Sequence, residues 1–169
     1  MHAYCLYCER QRCTQIVQLA ELRKDIRCIS PIIIQRKWIG KKCVEEKHDW
    51  LPNYLFLYTE EPLWEKIHIP GIIRWLGNGE LEGSDLAFAR MLYEKKGIMG
   101  IIHLAEEGDR CVINDPLWKD TEGRILKIDR GRKRCCVEFI FDDIPRTVWL
   151  GYDLVQVKEN KEETMHRTE

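Results

Sequence analysis

The run Trp50-Leu51-Pro52-Asn53-Tyr54-Leu55-Phe56-Leu57-Tyr58 limits the fold more than any other stretch of this 169-residue chain. It is almost wholly apolar or aromatic, without the polar alternation of a half-exposed strand, and so predicts a strand buried on both faces. A strand of that kind needs a packing layer on each side of its sheet. Pro52 lacks an amide donor and belongs just before the strand, outside the ladder.

The surrounding segments supply those layers. Residues 4–8 read as a first strand. Residues 9–24 read as a helix, with Cys13, Ile16, Val17 and Ala20 at the spacing of one buried stripe. Pro31-Ile32-Ile33-Ile34 opens a β-branched strand toward Trp38, Ile39-Gly40-Lys41-Lys42 is a turn, and Cys43 starts the return strand. A short helix over 62–67, a strand over 72–76 and a helix capped by Ser84-Asp85 and running to Tyr93 complete the first half. This order predicts an α+β domain over residues 1–93, helices packed on an antiparallel sheet.

Residues 94–106 read as a linker, apolar enough at Ile98, Met99, Ile101 and Ile102 for part of it to pack on a domain. From Gly108 the pattern changes to short strands at regular spacing: 111–113, 123–128, 135–141, 146–150 and 154–157. Five such strands predict a small β-barrel over residues 107–158, closed so that no edge is exposed. The β-branched and aromatic content of 135–141 favours strand there. Residues 159–169 are charged, lack an apolar period and read as a disordered tail.

Formal net charge is −1, so any nucleic-acid contact must come from a local patch. No run approaches the roughly 18 apolar residues of a membrane helix. The first residues lack the basic start and apolar core of a secretory signal, which predicts a cytoplasmic protein with no membrane contact. The eight cysteines then read as free thiols. Cys5 and Cys8 form a CxxC, but residues three apart on a strand face opposite ways. Cys135 and Cys136 face opposite ways for the same reason, so no metal site is expected. His48 and His103 have no neighbouring signature, and no phosphate loop or paired-carboxylate motif occurs. The sequence thus predicts a non-enzymatic protein without a cofactor.

Several motifs together resemble the NusG family of transcription elongation factors, over nearly the whole chain. The first half carries the aromatic first strand, the turn Arg36-Lys37-Trp38-Ile39-Gly40-Lys41-Lys42, the run Leu51-Pro52-Asn53-Tyr54-Leu55-Phe56 in the place of the family's Phe-Pro-Gly-Tyr signature, and Ile69-Pro70-Gly71-Ile72. Asn53 in place of glycine makes this run more similar to the specialised paralogues RfaH and LoaP than to housekeeping NusG. The second half carries Gly108-Asp109-Arg110-Cys111-Val112-Ile113 and Gly123-Arg124-Ile125-Leu126-Lys127-Ile128-Asp129, similar to the KOW motif. Departures fall at Asn114-Asp115-Pro116 and at Asp142-Asp143, where the family has other turn residues.

The resemblance implies an N-terminal NGN domain joined to an SH3-like five-stranded KOW barrel in a monomeric antitermination factor. It implies that Tyr7, Leu51, Tyr54 and Phe56 form an apolar surface for the clamp coiled-coil of RNA polymerase, in the helix-in-groove manner. Most apolar strand residues are simply core, and Leu51 and Tyr54 lie at opposite strand parity. The segment 63–67 lacks the polar run with which RfaH reads DNA.

Arg124, Lys127, Arg130, Arg132, Lys133 and Arg134 place six cations in eleven positions, opposed only by Asp129. A cluster this dense at a hairpin tip suits the phosphates of a leader RNA hairpin, the LoaP type of partner. Residues 106–158 nevertheless hold 10 Lys/Arg against 11 Asp/Glu, so the cluster is local. The alternative is a housekeeping role in which the barrel binds a ribosomal protein or the Rho terminator.

Overall fold

The computed structural model describes residues 1–107, 110–115, 118 and 123–155. The fold is α+β, with strands predominating and two short α-helices. Its elements are β1 (His2–Cys8), a 3₁₀ turn (Arg10–Arg12), α1 (Cys13–Ala20), β2 (Ile26–Ile29), β3 (Ile32–Ile39), β4 (Lys42–Asp49), β5 (Tyr54–Thr59) and β6 (Ile72–Glu80). They continue with α2 (Gly83–Glu94), β7 (Ile98–Met99), β8 (Ile102–Glu107), β9 (Arg110–Ile113), β10 (Arg124–Asp129), β11 (Arg134–Phe141) and β12 (Ile144–Val155).

The apolar run forms β5, buried along its whole length and held between β2 and β1 in a four-stranded sheet of order β2-β5-β1-β6. Leu55 and Leu57 face Ile16 and Ala20 of α1, while Tyr54, Phe56 and Tyr58 face Phe88, Ala89 and Met91 of α2. Alternation on one strand therefore feeds two separate apolar layers. Cys5 lies in the second layer and Cys8 in the first, so the CxxC pair cannot share an ion. Among the described residues no group of three His, Cys, Asp or Glu is placed to hold a metal. All eight cysteines are free thiols.

Two motif positions acquire a physical reason. Gly71 has φ +103°, and a Cβ there would stand 2.6 Å from Arg12 Cδ, so only glycine fits without displacement. Asn53 adopts φ 77°, a left-handed conformation that asparagine tolerates better than most residues. Its carbonyl accepts the Cys8 amide at 2.7 Å.

β3 and β4 form a hairpin in unbroken register from Ile32↔Asp49 to Ile39↔Lys42, with β7 added in parallel to β3. The C-terminal sheet has the order β10-β11-β12-β8-β9, and β9 comes round beside β10. Asp142 and Asp143, at φ 57° and 55°, make the two-residue turn between β11 and β12 with the left-handed pair that a type I′ hairpin requires.

Three expectations need correction. Residues 94–106 are not a bare linker: they hold β7 and most of β8, which pairs with β12 in parallel and with β9 antiparallel. Five strands do make the C-terminal sheet, but β8 is one of them, and the two strands expected over 146–157 are the single long β12. No helix forms over 62–67. The expected tail, 159–169, and the last residues of the expected barrel lie outside the described residues.

The two halves share one core. Phe88 of α2 stacks on Phe139 of β11 at 5.1 Å and 4°, and lies 5.2 Å from both Trp50 and Phe141. Trp118 meets Trp50 at 6.3 Å and Phe139 at 6.2 Å. Polar links reinforce the junction: Arg74 to Asp142 at 3.0 Å, Lys95 to Asp115 at 2.7 Å and Arg36 to Asp153 at 3.3 Å.

Candidate nucleic-acid interface

The residues expected to face polymerase lie together but are covered. Leu51, Tyr54 and Phe56 are buried; only Tyr7 is part-exposed. Tyr54 packs edge-on to Phe141 at 5.4 Å and to Tyr7 at 5.1 Å, and Phe56 lies 5.5 Å from Phe141. Arg146 of β12 caps the cluster: its guanidinium lies 5.3 Å over the Tyr54 ring and donates to Tyr54 Oη at 3.2 Å. As an open groove this expectation is corrected. Phe141 of β11 covers both the Tyr54 and the Phe56 ring. Arg146 and Phe141 were not singled out in the sequence, because nothing local marks a strand that docks on a distant one.

The basic run does form one exposed hairpin. β10 and β11 pair from Arg124↔Glu138 to Asp129↔Arg134, and residues 130–133 make the turn. The register slips between Ile125 and Lys127, so Leu126 bulges out while Ile125 and Ile128 both reach the core. Arg124 and Lys127 are thereby left outside, across from Glu138 and Cys136. Cys135, Val137, Phe139 and Phe141 point inward, leaving Arg134, Cys136 and Glu138 on the outer face.

Asp129 organises the turn. Its Oδ1 accepts the Arg132 amide at 3.0 Å, an Asx-type contact, and its Oδ2 accepts from Arg134 Nε at 3.3 Å. The Arg132 amide bond first, and Arg134 after it, hold this carboxyl below its ordinary value. A carboxyl depressed on folding adds order above its unfolded pKa and loses it as pH falls through the folded pKa. The Arg132 amide resonance should therefore titrate with a midpoint below the ordinary aspartate value of about 3.9. A midpoint at or above that value would remove Asp129 from the turn.

The cluster is less free than its composition suggests. Arg124 donates to Glu138 at 2.6 Å, Arg130 faces Glu106 at 3.7 Å, and Arg132 and Arg134 share Asp129. Lys127 and Lys133 form no ion pair within the described residues. The Arg130 and Arg132 side chains are 73 % and 67 % exposed. Exposed pairs of that kind are worth about 0–1 kcal/mol, so a phosphate can displace the carboxylate at small cost.

One residue that the sequence left unmarked joins this face. Trp149 lies opposite Cys136 in the β11–β12 register, and the Arg134 guanidinium sits 4.7 Å over its ring. The face thus combines cations with one aromatic surface, the pairing on which nucleobases stack.

Burial pushes the Cys8, Cys28 and Cys135 thiols up to about 12, so they are protonated at neutral pH and poor nucleophiles. No helix among the described residues is long and apolar enough to cross a membrane. No protein-family model matches the chain, and no curated protein matches it.

Proposed function

We propose that this protein is a non-enzymatic transcription elongation regulator of the NusG type, a specialised antitermination factor joining RNA polymerase to a leader RNA. The observation that carries the reading is the basic hairpin. The KOW-like run forms β10, which leads into a turn whose exposed tip carries Arg130, Arg132 and Lys133. A second support is the N-terminal sheet, on which the NGN-like motifs fall together at β1, β5 and the turn before β6.

In this reading the protein acts as a cytoplasmic monomer and adds no chemistry. Two weak contacts on one chain raise each other's effective concentration and hold through elongation. Polymerase contact through Tyr54 and Phe56 requires Phe141 to leave them first, since a partner and Phe141 would bury the same rings. Polymerase affinity is then lowered by the fraction of molecules in which the halves are parted.

The second reading, a housekeeping factor whose C-terminal half binds a ribosomal protein or Rho, is favoured by the carboxylates already matched to four of the six cations. In-vitro transcription through a terminator, on templates carrying the leaders of genes next to its own, separates the two. Added protein should raise readthrough on one leader and not on the others. Equal effects on every leader favour the housekeeping reading, and no effect on any leader removes the antitermination role.

A further inference from the structure

We propose that the RNA-contacting face continues onto the β3–β4 hairpin, so that one structured RNA is held by both halves of the chain at once. This rests on the RNA reading of the β10–β11 hairpin. The link is Gly151, which stands opposite Arg134 in the β11–β12 register. A Cβ at Gly151 would meet Arg36 Cδ at 3.7 Å, so the Arg36 side chain lies across β12 beside Arg134. Arg36 is fixed there by Asp153 at 3.3 Å, and Gln35 Nε2 donates to the Trp149 carbonyl at 3.4 Å. β3 therefore crosses the outer face of β12 next to the Arg134–Trp149 pair.

Beyond that crossing the β3–β4 hairpin turns basic and exposed. Lys37 bridges Glu46 at 3.4 Å, while Lys41 and Lys42 form no ion pair within the described residues. At about 3.3 Å per residue its turn lies within about 15 Å of the crossing. The 130–133 turn adjoins Arg134 directly. Both tips thus start from one point, within the span of about 16 base pairs that a double-stranded RNA module covers. Trp38 at the tip is 50 % exposed among these lysines. An open aromatic ring beside cations suits an unstacked loop base of RNA, which a continuous DNA duplex does not offer.

The test measures binding of a labelled RNA stem-loop to the full chain, with duplex DNA of the same stem sequence as a second probe. Lys37→Ala/Lys41→Ala/Lys42→Ala should weaken RNA binding about tenfold at low salt and flatten the slope of log K against log salt by about 2. These positions are exposed, and circular dichroism verifies that the variant folds. Lys24→Ala/Lys66→Ala/Lys96→Ala removes three exposed charges elsewhere and should leave affinity unchanged. An equal loss in that control overturns the proposal, as does DNA binding as tight as RNA binding. If Arg130→Ala/Arg132→Ala/Lys133→Ala weakens RNA binding and the lysine variant does not, the extension onto β3–β4 is wrong while the RNA reading stands. If neither variant loses affinity, the RNA reading itself fails.

Discussion

Phe88→Ala should lower the unfolding free energy by about 3–5 kcal/mol, the cost typical of removing a fully buried phenylalanine, and should do so for both halves together. Phe88 is fully buried and touches Phe56 and Trp50 on one side and Phe139 and Phe141 on the other. Ring pairs of this geometry add about 0.5–1.5 kcal/mol each beyond their area, and alanine removes four of them. The cavity would open in the wall between the halves, where neither side can collapse into it alone. Urea unfolding followed by tryptophan fluorescence and by amide exchange in β5 and β11 checks this. Both probes should shift together; a loss in β5 with β11 unchanged would mean that the halves are stable separately.

The second large effect concerns charge. Arg130→Ala/Arg132→Ala/Lys133→Ala should cut affinity for a stem-loop RNA by about tenfold or more at low salt, with the salt slope shallower by about 2–3. All three side chains are exposed, and the turn keeps its shape without them because Asp129 accepts the residue 132 backbone amide, a bond that alanine retains. Stability should therefore barely change, since exposed ion pairs contribute little. Loss of affinity with an unchanged melting curve is the signature sought. An unchanged salt slope would assign the hairpin to solvent or to a protein partner.

Features set by short-range pattern were legible in the sequence. β5 announces itself by nine residues with almost no polar break, and the α1 stripe of Cys13, Ile16, Val17 and Ala20 by its spacing. The hairpins at 39–42 and 129–134 are written in their turn residues. What escaped depends on distant pairing. Ile98 and Met99 become a strand only because β3 passes beside them, and 102–107 only because β12 and β9 do. The segment 62–67 looked helical by composition, yet Leu63 and Ile67 pack on the α1 layer from irregular chain, the Leu63 amide donates to Tyr4 Oη at 2.9 Å, and Trp64 is left 95 % exposed. For the site, the six cations could be counted, but not the carboxylates that approach them. Glu138 reaches Arg124 across a ladder, and Glu106 reaches Arg130 from another strand. The coverage of Tyr54 and Phe56 by Phe141 is of the same kind. Hydrophobicity predicts that those rings are buried, and only topology decides what buries them.

The shared core also has a timetable. Phe88 leaves the ribosome 53 residues before Phe141. At about 5–20 residues per second, Phe88 waits roughly 3–10 s for the rings that cover it, and Trp50 and Phe56, made earlier, wait longer. During that interval the nascent first half carries an aromatic face with nothing on it. A newborn chain is then briefly open to any helical partner or chaperone nearby, and completing residues 139–141 ends that exposure.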